Sequence, residues 1–95
     1  MNHVYIYRDD VSGAFGAPVL APNPDVIKRE MMVGNVPEYV LRDVSVIDLG
    51  VFHDDPVCPR IEAYDCPVVV LHGSSLIPLI KAAQMKGDVD DAEAS

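Results

Sequence analysis

Ninety-five residues, 49% hydrophobic and 23% charged, suffice for one domain with a modest core and for little more. Seven basic against fifteen acidic residues give a net charge of −8, which argues against coating a nucleic-acid backbone, a task that needs clustered Lys and Arg. The acidity is not confined to the C-terminus. Asp88, Asp90, Asp91 and Glu93 against Lys86 leave residues 86–95 at −3 and the remainder at −5.

In chain order, residues 3–8 (HVYIYR) predict a strand. Val4 and Ile6 face one side and His3, Tyr5 and Tyr7 the other, and two apolar or aromatic faces suit a central position. Asp9 to Gly13 supplies turn chemistry. Phe15 to Ala21 is a second extended segment, assigned to a sheet edge because Pro18 has no N–H to donate. Asn23-Pro24-Asp25 opens a helix, with Asn as N-cap, Pro at the first helical position and Asp on the positive end of the dipole. That helix is predicted to reach Val33, to bury Ile27 and Met31, and to stop at Gly34.

Asn35 to Asp43 is expected to be a loop with a short turn around Tyr39 to Leu41. Val44 to Phe52 carries the strongest strand pattern, with Ser45, Ile47, Leu49 and Val51 on one face and Val44, Val46 and Phe52 on the other. His53 to Pro56 is a turn. Ile61 and Ala63 alternate with Arg60, Glu62 and Tyr64 in a half-exposed strand, and Val68 to Leu71 is a separate buried strand. Ser75 is placed as the cap of a last helix from Leu76 to about Met85, with Pro78 in its first turn and Gly87 beyond its end. The expected fold is α+β: a small, mostly antiparallel β-sheet, one helix after the second strand and a second, C-terminal helix. Residues 1–86 are expected to form one compact domain and residues 87–95 an acidic, disordered tail.

Residues 1–20 lack the basic and apolar regions of a signal peptide. The longest apolar run, Pro67 to Leu71, is far too short to span a bilayer. A cytoplasmic protein is therefore expected, with reduced thiols at Cys58 and Cys66.

Few residues carry chemistry. His53, Cys58, Cys66 and His72 are metal-capable types, but their H-x4-C-x7-C-x5-H spacing matches no zinc pattern. The expectation is that no metal binds, with Cys66 in the core, Cys58 in a Pro-rich loop and both histidines in turns. Asp9-Asp10 and Asp54-Asp55 each follow a strand and read as turn caps. No catalytic residue and no cofactor is predicted. The sequence offers one small candidate contact surface for single-stranded DNA, Arg8, Lys28 and Arg29 for phosphates with Tyr5 and Tyr7 for base stacking; the other reading of the same residues is a solvated helix face and tyrosines in the core.

One further pattern is the order of these segments. Tyr5–Tyr7 lead to Asp9-Asp10, then Ala14-Phe15, Ala17-Pro18-Val19, Ile27-Lys28-Arg29, Pro37-Glu38 and Gly50-Val51-Phe52-His53-Asp54-Asp55. That succession, over roughly the first sixty residues, resembles the small non-structural protein of gokushovirus-type microviruses, a family of single-stranded DNA bacteriophages. Here the segment between Val33 and Pro37 is shorter than in that family, and residues 66–95 have no counterpart in the pattern. The resemblance implies a non-enzymatic role in viral genome replication or in the switch to single-stranded DNA synthesis, in the host cytoplasm. The acidic body directs this toward binding phage or host replication proteins, with weak local DNA contact. The alternative is a self-associating structural or assembly protein. Homo-oligomerisation is expected in either case, because the core is small and the 44–52 strand is apolar on both faces.

Overall fold

The computed structural model describes residues 1–83. It contains β1 (Asn2–Asp9), β2 (Val19–Ala21), helix α1 (Pro24–Val33), a one-turn helix α2 (Glu38–Leu41), β3 (Val44–His53) and β4 (Arg60–His72). A 3-10 turn, Gly73–Leu76, then leads into helical residues 77–83. The sheet order is β2-β1-β3-β4 and every pairing is antiparallel. This is the expected α+β fold. The predicted end of the last helix near Met85 and the acidic tail lie outside the described residues.

Strand β1 is central because both of its faces are apolar, and β2 is short and lies at an edge. A single bridge between Arg8 and Phe15 precedes β2. Pro18, without an N–H, separates the two pairings. Helix α1 starts as its sequence dictates: the Asn23 side chain accepts a hydrogen bond from the Val26 N–H at 3.2 Å, and Pro24 fills the first turn. Its end differs from expectation. Gly34 keeps a negative φ, and the left-handed position falls to Asn35 (φ 55°), a residue that tolerates it through its short polar side chain.

The core lies on one face of the sheet. Tyr5, Ala21 and Val46 meet Ile27 and Met31 of α1, Leu41 of α2 and Leu76. Tyr7, Val19, Val44, Leu71 and Ile80 pack around them. Each large apolar side chain removed from water there contributes roughly 1.5–3 kcal/mol before entropy is counted. Gly73 is buried where the end of β4 crosses α2, and a Cβ there would overlap the Leu41 carbonyl oxygen and the Val44 side chain. Lys81 Nζ reaches Glu38 at 3.2 Å and ties the last helical residues to α2.

Three irregularities alter the predicted strands, the smallest a one-residue bulge in β4, where Val46 pairs with Leu71 and Ile47 with Val69 and Val70 is left over. The β1–β3 register shifts between Val4 and Tyr5, which pair with Gly50 and Asp48, so Leu49 is an extra residue. A one-residue bulge exchanges the faces beyond it. Val51 therefore joins the His3 side and Phe52 joins the Val4 side, correcting the uniform alternation expected for 44–52. The predicted strands around 61–64 and 68–71 are one strand, β4, interrupted by a larger bulge: Asp48 pairs with Val68 and Gly50 with Ala63, leaving Tyr64 to Pro67 opposite Leu49. Gly50 makes this crossing possible. Its φ is +156°, and a Cβ there would overlap the Glu62 carbonyl oxygen.

Ser75 does not cap a helix in the expected way. Its hydroxyl donates to the His72 carbonyl at 2.6 Å, and the helix proper begins two residues later.

Candidate functional site

The five residues expected to form one contact surface are divided between two faces. Tyr5 is 1% exposed, at the centre of the core, and cannot stack on a base without leaving it. Tyr7 is half-buried beneath the same helices. Burial, and then the nearby Glu30 carboxylate, push its phenol above the ordinary tyrosine pKa. Arg8 follows Tyr7 in a regular stretch of β1, so its side chain points to the opposite face. There its Nε donates to Asp10 at 3.0 Å. On α1, on the helix side of the sheet, Arg29 is exposed and Lys28 half-buried. Only those two of the five share an open surface.

The metal-capable group is also scattered. His53 pairs with Arg60 at one end of the β3–β4 ladder, and His72 pairs with Ser45 at the other. Both lie at strand ends rather than in turns, and Cys66 is exposed in the β4 bulge rather than in the core. The Asp pairs act as turn residues in part. Asp9 accepts from the Val11 N–H and the Ser12 hydroxyl, both at 3.0 Å, which hold its carboxyl below the usual range. Asp55 accepts from the Val57 N–H at 2.8 Å. Asp10 does something different: it takes a 2.7 Å hydrogen bond from the buried Ser45 hydroxyl, which also lies 3.1 Å from His72 Nδ1. This tie fastens the ends of β1, β3 and β4. Ser45 donates to a carboxylate and is sealed from solvent, an arrangement suited to bracing strands rather than to nucleophilic attack.

A second polar cluster sits at the other end. His3 Nδ1 donates to Asp48 Oδ2 at 2.9 Å, and the Tyr64 hydroxyl lies 3.2 Å from the same nitrogen. Asp48 is largely buried and also accepts from the Gly50 N–H at 3.1 Å. Desolvation, then the Asp48 carboxylate, raises the Tyr64 phenol above its ordinary pKa. The β4 bulge re-aims Tyr64 toward this cluster, a common use of bulges. Among the described residues no buried side-chain nitrogen or oxygen lacks a partner.

What remains is the face of the sheet opposite the helices. Every described helix contributes to the core on the Tyr5 side, so none covers the other side. The registers place Leu20, Val4, Ile6, Ile47, Phe52 and Val69 on it, with Ile61 and Ala63 beside them. Antiparallel sheets with one wet face normally turn polar residues outward. Here the outward row is apolar through its centre. Val4 and Ile47 are buried, while Leu20, Ile61 and Val69 remain 50%, 57% and 40% exposed at the flanks. The patch runs into the outer edge of β4, which has no described strand beside it. Sequence reasoning identified two apolar faces on β1 and β3 but assigned the free edge to β2. The longer unpaired edge is β4.

No described helix is long and apolar enough to cross a membrane. Comparison with protein-family models, with curated proteins and with solved structures finds no match.

Proposed function

We propose that this chain is a non-enzymatic bacteriophage accessory protein that acts in viral genome replication, or in the switch to single-stranded DNA synthesis, by binding proteins. The first of those partners is a second copy of itself. The single observation behind this mode of action is the apolar sheet face that no described helix covers. The biological setting and the host cytoplasm rest on the resemblance of the first sixty residues alone.

A second copy is the occupant that the face itself favours. Two identical apolar faces are complementary about a two-fold axis, and stacked sheets pack about 10 Å apart. Three strands about 4.8 Å apart, over some seven residues, present only a few hundred Å². A standard interface takes roughly 800 Å² from each partner. The dimer is therefore small and concentration-dependent. The β4 edge adds little, because the bulge at 64–67 and Pro67 interrupt it, as edge strands guarded against open-ended pairing are interrupted. Direct DNA contact is reduced to Lys28 and Arg29, whose two charges give weak, salt-sensitive binding at most.

Capture of the tagged chain from phage-infected cells, with and without nuclease, tests the setting. Nuclease-resistant recovery of a replication initiator or host polymerase supports it. Recovery of capsid protein moves the chain to the alternative, a self-associating structural or assembly protein. Recovery of DNA that nuclease removes would contradict a role through protein binding.

A further inference from the structure

On the helix side, away from the proposed dimer face, an apolar trough runs between the 9–16 loop, α2 and α1. Its wider part has a volume of about 500 Å³ and its narrower part about 290 Å³. The two share Tyr7, Val40 and Val44 as a floor. Tyr39 lines the wider part, 67% exposed, and Met31 and Val36 line the narrower; the Phe15 side chain goes to the other face with Arg8, its bridge partner. An exposed aromatic beside a concave apolar floor is the type of residue that anchors protein interfaces.

Charge determines what fits. Asp9, Asp43 and Glu30 line the trough, and neither part has a Lys or Arg in its lining. Among the described residues none of these three carboxylates is in an ion pair. Arg8, the basic residue nearest in sequence to the floor, is committed to Asp10 on the other face. We infer that the trough is a docking site for a cationic segment of a partner protein, with an apolar or aromatic side chain seated on Tyr7, Val40 and Val44 and flanking Lys or Arg residues against the three carboxylates. The chain's own residues 88–93 carry the wrong charge for this site, with four acids. A second copy offers only the adjacent Lys28 and Arg29 as a basic pair. The site is thus built for a different protein, and dimerisation through the opposite face would present two such troughs.

The test uses the full chain and three labelled twelve-residue peptides in fluorescence polarisation. Each peptide has a central Phe-Leu pair flanked by four Lys, four Gln or four Glu. The Lys peptide should bind at least tenfold tighter than the Gln peptide, and the Glu peptide should not bind. The double variant Tyr39→Ser, Val40→Ser keeps the net charge and removes an exposed ring and a half-exposed apolar side chain from the trough. It should weaken the Lys peptide at least fivefold while leaving the melting temperature unchanged. Asp43→Asn should narrow the preference for Lys over Gln. Equal affinity for the three peptides, or no binding of the Lys peptide, overturns the inference. So does unchanged binding by the double variant, which would show attraction to the acidic protein as a whole. Loss of self-association in the double variant would assign the trough to a second copy and equally overturn it.

Discussion

Replacing Gly50 by Ala perturbs the point on which the strand faces depend. Gly50 follows the extra residue Leu49 in β3 and sits against β4 where the 64–67 bulge closes. An added Cβ would overlap the Glu62 carbonyl oxygen and lie 2.8 Å from the Ala63 Cα, whereas carbon atoms pack comfortably at about 3.5–4.0 Å. The side chain also meets a φ of +156°, which costs an L residue about 1–3 kcal/mol. Moving β4 outward forfeits packing worth about another 1–3 kcal/mol. A total near 2–6 kcal/mol corresponds to a fall in Tm of about 10 °C or more for a domain of this size. Gly13→Ala is the control. Its φ of 77° is also positive, but nothing lies within 4 Å of the added Cβ, so only the conformational cost of about 1 kcal/mol remains. Circular dichroism melts and urea titrations compare the two. If Gly50→Ala is no less stable than Gly13→Ala, the close β3–β4 crossing is wrong, and so is the exchange of faces built on it.

Other expectations test separate parts of the structure. Asn23→Ala removes the α1 cap and should cost about 1 kcal/mol, whereas Ile27→Ala empties a core position and should cost about 2–5 kcal/mol, both read by urea denaturation. The Ser45 hydroxyl, and then Arg8, hold the Asp10 carboxyl below the usual carboxylate range. The folded state therefore takes up that proton less readily than the unfolded chain. The resulting stability is complete above about pH 4 and is lost as pH falls through the lower folded value. Asp10→Asn should thus be less stable than the parent at pH 7, with a gap that closes toward pH 2; a gap that widens in acid would reverse the sign. For labelled single-stranded DNA, anisotropy at two salt concentrations should give dissociation constants of about micromolar or weaker with a shallow salt slope. Lys28→Ala with Arg29→Ala should abolish that signal and Arg8→Ala should leave it. The opposite pattern would place the contact on the other face.

The elements that the sequence made legible were those set by local chemistry. Asn23-Pro24-Asp25 announced α1, and Ile27 and Met31 are its buried pair. The two-faced pattern of β1 announced a central strand. The misreadings came where one residue changes parity. Leu49 is an ordinary apolar residue in an ordinary strand, and nothing local says that it is extra; Gly50 was the signal, since Gly inside a strand marks a bulge or a close backbone approach. Asp65, Cys66 and Pro67 read as a gap between two separate strands, since a Pro has no N–H for a ladder, yet the chain resumes pairing beyond it, and Tyr64, placed in the first strand, lies in the bulge. The proposed DNA surface failed for a related reason. Alternation already placed Arg8 and Tyr7 on opposite sides of β1, and burial of Tyr5 depended on which side the helices would choose. The His3–Asp48–Tyr64 and Asp10–Ser45–His72 clusters join residues far apart in the chain, and no spacing rule connects them.

The uncovered apolar face is tested most directly by mass in solution. Light scattering across a concentration series from about 1 to several hundred micromolar should show monomer passing to dimer, as a small interface requires. Leu20→Lys with Val69→Lys places two charges on exposed flanks of that face and should hold the chain monomeric with its melting temperature little changed. A parent chain that stays monomeric throughout, or a charged variant that dimerises as the parent does, would contradict self-association through this face.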